Sequence, residues 1–137
     1  MPKDKYAYIY NKVKVALEQD KLFLRPELSL IYLSRVVGTN TVYLSQAINL
    51  LAGCNFKTLV NRYRIEHVCQ EAEKTNRDVE DIANEYRFWS RSTFYDAFKT
   101  QKGKTPRQYM DARQKEHGKH DNSVNQKQKQ MNKLHTK

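Results

Sequence analysis

Residues 33–48 read Leu33-Ser34-Arg35-Val36-Val37-Gly38-Thr39-Asn40-Thr41-Val42-Tyr43-Leu44-Ser45-Gln46-Ala47-Ile48, and residues 82–98 repeat that pattern with one residue inserted in the middle. Leu33 aligns with Ile82, Ser34 with Ala83, Leu44 with Phe94 and Ile48 with Phe98. Each copy reads as a short helix, a tight turn and a second helix whose apolar positions lie four apart. The small residue, Ser34 or Ala83, falls where a steeply crossing helix leaves little room, which is the logic of a helix-turn-helix. Two unrelated helical hairpins in a bundle account for the pattern equally well.

The remaining apolar residues also recur at helical spacing. Ile9, Val13 and Leu17 give one face to a helix over Tyr6 to Gln19, which Arg25-Pro26 separates from the next. Ser29 caps a helix to Val37, with Leu30, Leu33, Val36 and Val37 inward and Gly38 as its stop. Thr41 to Leu51 turns Leu44, Ala47, Ile48 and Leu51 inward. Asn55 to Lys74 is the longest candidate, with a stripe from Phe56 through Ala72. Asp78 caps a helix to Tyr86, Arg91 to Lys102 buries Phe94, Ala97 and Phe98, and Thr105-Pro106 opens a seventh helix. Only four glycines and three prolines serve all 137 residues, too few for the turns of an all-β fold.

From Gln114 the composition changes. Six lysines against two acids give residues 114–137 a charge of +4 and leave +6 for residues 1–113. With Val124, Met131 and Leu134 as its aliphatic residues, this stretch buries too little to fold alone, so the expected division is a domain over 1–113 and a disordered basic tail over 114–137. The net charge of +10 is the electrostatic footprint of an anionic partner, nucleic acid first among them. Cys54 and Cys69 form no Cys-x-x-Cys pair, and no cysteine–histidine spacing suits zinc, so no metal and no cofactor are expected. His67 is read as an exposed helix residue, and Trp89 as packing in the second turn. No apolar run approaches the ~20 residues of a membrane span. No motif pairs a nucleophile with a base, so an enzyme is not expected.

Asp81-Ile82-Ala83, Phe88-Trp89-Ser90-Arg91-Ser92-Thr93-Phe94, Phe98-Lys99, Gly103 and Thr105-Pro106-Arg107-Gln108-Tyr109 follow one another in a distinctive order and spacing. Tyr43-Leu44-Ser45 and Asn61-Arg62-Tyr63-Arg64-Ile65 add to it. The chain resembles the DNA-binding domain of the AraC/XylS family of bacterial transcription regulators over about Tyr6 to Arg113. The resemblance implies an all-α, seven-helix, homeodomain-like fold: two helix-turn-helix subdomains joined by a long linker helix. It implies a cytoplasmic, nucleoid-associated regulator that binds double-stranded DNA as a monomer, with RNA polymerase a possible protein partner. Two positions depart from the family pattern. Arg87 stands where the family has glycine, a strained choice if that site needs positive φ. Met110 replaces the arginine after Tyr109, leaving Arg107 or Arg113 to meet phosphate.

A linker of this length spans about 30 Å at ~1.5 Å per residue, near the ~34 Å between adjacent major-groove segments on one side of a duplex. In the first recognition helix the outward set is Thr41, Val42, Ser45, Gln46 and Asn49, with Gln46 suited to adenine and Val42 to a thymine methyl. In the second it is Arg91, Ser92, Tyr95 and Asp96, beside Lys99. Arg91 suits guanine, and Asp96 either accepts from cytosine N4 or pairs with Arg91 or Lys99. Phosphate candidates are Arg35, Lys57, Arg62, Lys99, Lys102, Lys104 and Arg107, with the helix starts near Asn55 and Thr105. The rival reading is a basic helical module that binds RNA or a protein such as RNA polymerase. Family members usually carry a separate sensing or dimerising domain, so the expectation is a stand-alone regulator or an excised output domain.

Overall fold

A computed structural model describes residues 3–122, with side chains over 4–115. The described residues form seven α-helices and no strand: α1 (Lys3–Lys14), α2 (Leu30–Val37), α3 (Thr41–Ala52), α4 (Phe56–Thr75), α5 (Val79–Glu85), α6 (Arg91–Lys102) and α7 (Pro106–Asn122). A π turn, Val15–Gln19, closes α1, and a 3-10 turn, Leu22–Leu24, follows it.

Short polar side chains start the helices. Ser29, Asn40, Asn55, Asp78 and Ser90 each accept a backbone N–H from the first turn of the helix they precede. At α7 the arrangement is reciprocal. Thr105 Oγ1 accepts from the Gln108 N–H at 3.1 Å, and Gln108 Oε1 accepts from the Thr105 N–H at 3.0 Å, with Pro106 at the first helical position. Gly38 ends α2 at φ +84°, a left-handed conformation that costs glycine little. Asn76 ends α4 in the same region at φ +58°.

Two separate apolar clusters make the core. The first gathers Ile9, Val13, Leu17, Leu33, Val37, Leu44 and Ile48 under Leu59 and Val60 of α4. The second gathers Val79, Ile82, Ala83, Phe94 and Phe98 against Ile65, Val68, Cys69 and Ala72 of the same helix. The helices of the first half pack substantially on one another and on α4, as do those of the second, so α4 is the shared element. Ser34 and Ala83, the small residues of the repeat, are both buried.

Three expectations change. Val36 is 50% exposed and Leu51 is also exposed, because α2 buries Leu33, Ser34 and Val37, and α3 buries Leu44, Ala47 and Ile48, narrower faces than the periodicity suggested. α1 begins at Lys3, ahead of Tyr6. The expected boundary at residue 113 falls inside α7, which continues through 114–122; residues 123–137 of the expected tail lie outside the described residues. No helix among the described residues is long and apolar enough to cross a membrane.

Candidate nucleic-acid interface

The second helix of each repeat, α3 and α6, offers an outward face close to the one read from the sequence. On α3, Val42 is 60% exposed, Gln46 and Asn49 are exposed, and Thr41 and Ser45 are half-buried. The Tyr6 hydroxyl on α1 donates to Gln46 Oε1. That bond orients the amide and leaves Oε1 a second lone pair and both Nε2 hydrogens for a base edge. Tyr6 was not among the expected site residues, since nothing local in the sequence links α1 to α3. On α6, Arg91, Ser92 and Asp96 are exposed and Tyr95 is 43% exposed. Asp96 forms no ion pair with Arg91 or Lys99 among the described residues, so its carboxylate is open to solvent.

Lys57 and Arg62 of α4 face α6 across an open cleft of about 470 Å³ that is also lined by Thr93, Asp96 and Thr100. Two of the expected phosphate contacts therefore stand beside the second recognition helix. Arg35, Lys99, Lys104 and Arg107 are exposed as well. Lys102 is differently placed. It is half-buried and its ammonium pairs with Glu66 on α4, while the Gln101 amide donates to the Arg62 carbonyl at 3.2 Å. Thr105 is half-buried and serves as the α7 cap.

Between the two halves lies a polar and aromatic junction that the sequence did not announce. Arg64, 8% exposed, donates from Nε to the Phe23 carbonyl at 2.7 Å and from Nη2 to the Arg25 carbonyl at 3.0 Å. Its guanidinium lies 3.9 Å from the centre of the Phe88 ring. Burial lowers its pKa to about 10, which leaves it a cation at neutral pH. One turn on, His67 is half-buried, not exposed as expected. It shares a 2.8 Å hydrogen bond with the Tyr86 hydroxyl and meets the Phe23 ring edge-on. The aromatic contacts run on through Tyr86, Phe88, Trp89, Phe94 and Phe98 to Tyr109. Burial and a hydrogen bond to Cys69 push the Tyr109 hydroxyl up to about 12.

Residues 33–112, more than half of the chain, match the helix-turn-helix domain family. The chain belongs to the AraC-type helix-turn-helix family. It is also 32% identical over 99 residues to uncharacterized HTH-type transcriptional regulators of Staphylococcus aureus strains MSSA476 and N315. The matched segment is 72% of this chain and 13% of each relative, so the chain spans a small part of the length of those proteins. No solved structure matches it.

Both departures of this AraC-type domain from its family pattern have a structural reading. Arg87 carries no strain, since the non-glycine residues at positive φ among the described ones are Lys21 and Asn76. The second turn begins on Tyr86 in an extended conformation, φ −95° and ψ 142°, where the first begins on left-handed Gly38. The inserted residue thus lets the chain turn without a left-handed step. Of the two arginines left to stand in at α7, Arg113 is half-buried with its guanidinium 5.9 Å from the Tyr109 ring centre, and Arg107 is exposed.

Proposed function

We propose that this AraC-type domain binds double-stranded DNA sequence-specifically and regulates transcription, acting as a monomer whose α3 and α6 enter two adjacent major-groove segments. The observation that carries the reading is the repetition itself. Two capped helices, each at the same place in its motif, keep their polar faces bare while a single 20-residue helix seats both halves. At ~1.5 Å per residue that helix is about 30 Å long, close to one turn of B-DNA. Gln46, already oriented by Tyr6, addresses adenine, and Val42 contacts a thymine methyl. Arg91 addresses guanine O6 and N7, and the exposed Asp96 carboxylate accepts from cytosine N4. Lys57, Arg62, Lys99 and Arg107 supply phosphate contacts, which hold the register without reading sequence.

Selection of bound sites from a random duplex pool tests this directly. The wild-type protein should yield a bipartite site with half-elements about one helical turn apart. Gln46→Ala should relax preference in one half-element and Arg91→Ala in the other. Identical selected sites from all three proteins would refute the assignment. Preference for structured RNA over duplex DNA in competition would refute the function.

A further inference from the structure

The two halves enclose separate cores and meet on α4, the first through Leu59 and Val60 and the second through Ile65, Val68, Cys69 and Ala72. Apolar packing has no direction and tolerates small rocking of a half on the helix. Hydrogen bonds and a stacked guanidinium do have direction. Arg64 stands at the point where one core gives way to the other, and it grips both sides. Its two hydrogen bonds take the carbonyls of Phe23 and Arg25, and Arg25 lies four residues before Ser29, the cap of α2. Its flat face lies on Phe88, two residues before Ser90, the cap of α6. Phe88 is itself stacked on Tyr86 and set edge-on to Trp89, so the guanidinium presses on a braced group of rings.

We propose that Arg64 is a positioning residue: it fixes the angle between the two helix-turn-helix halves, and thereby the base-pair spacing between half-elements that the protein accepts. This rests on the two-segment reading above. A buried cation with no carboxylate partner among the described residues is a costly way to fill space, and an apolar side chain of similar length is often no worse for stability. Arginine adds a fixed fork and a plane that tie two bodies at a set orientation. Each base pair inserted between half-elements turns the second by about 35° and moves it by about 3.4 Å. A locked pair of readers is sensitive to such a step, and a loosened pair follows it.

The test measures binding of the wild-type protein, Arg64→Met and Phe88→Leu to duplexes with the selected site, to versions with one or two base pairs inserted or removed between half-elements, and to a duplex holding one half-element. Wild type should lose roughly tenfold or more on a one-base-pair change, given the rotation that step imposes. Both variants should lose less than roughly threefold across the same step, with half-element binding unchanged, because the fork or its stacking face is gone. Arg64→Met that keeps wild-type helicity and the wild-type spacing profile would overturn the proposal, as would a uniform loss on every duplex. If Arg64→Met does not fold, Phe88→Leu carries the test, since it leaves both carbonyl bonds in place. A wild-type protein indifferent to spacing would overturn the two-segment reading itself, and this proposal with it.

Discussion

The indole N–H of Trp89 donates to Asn61 Oδ1 across 3.2 Å, tying the turn of the second motif to α4. The ring also lies against Phe88 and Phe94. Trp89 therefore braces the turn against α4. Trp89→Phe keeps an aromatic ring and loses the bond, so unfolding in urea should show a loss of about 1 kcal/mol. DNA affinity of the folded variant should stay within about threefold, since a lost base stack would cost ~1–3 kcal/mol. A larger loss of affinity would place the indole on DNA.

The Ser34 hydroxyl donates to the Ile31 carbonyl at 2.7 Å, and the residue is buried where α2 meets its neighbours. What the position demands is small volume. Ser34→Ala should change stability by less than about 1 kcal/mol, because the bond is local. Ser34→Leu should cost about 1–3 kcal/mol by overpacking, and Ala83→Leu should do the same in the second half. Thermal melts of the three variants separate size from polarity.

His67 gives the junction a pH dependence. Burial lowers its pKa most, Glu71, 3.9 Å away, opposes that by less, and Lys21 and Lys74 add smaller lowering effects. The folded protein thus favours the neutral ring, while the unfolded chain takes a proton near the ordinary value of 6.5. This contribution is complete above that value, falls as pH drops through it, and levels off below the folded pKa. Wild type should lose more stability than His67→Gln between about pH 7.5 and about pH 5. Equal losses in both proteins would remove His67 from the balance.

The lysines and acids of 114–122 cancel, so the +4 assigned to the C-terminal stretch sits in 123–137. Removing 123–137 should reduce the slope of log affinity against log salt by roughly one for each lysine that meets phosphate. The preferred sequence should not change. A different selected site after this truncation would give the segment a reading role.

Helix ends and the repeat were legible because their causes are local. Ser29, Asn55 and Ser90 accept from the turn beside them, and Phe94 and Phe98 recur at a spacing that a single helix imposes. Arg64 was not legible as more than a basic residue in a family-like stretch. Its partners Phe23 and Phe88 lie 41 residues before it and 24 residues after it, and only the folded chain brings all three together. His67 was misread for the same reason, since Phe23 and Tyr86 cover it from opposite halves. The pairing of Lys102, a phosphate candidate from the sequence, was not legible because its partner Glu66 lies on another helix.

Separate cores have a consequence for how such a domain diversifies. A new side chain on α6 that needs Phe94 or Phe98 to shift meets the second cluster, while Leu44 and Ile48 beneath α3 belong to the first. On the two-segment reading proposed above, each half of the target sequence can then be retuned without redrawing the other, as two keys are cut independently on one ring.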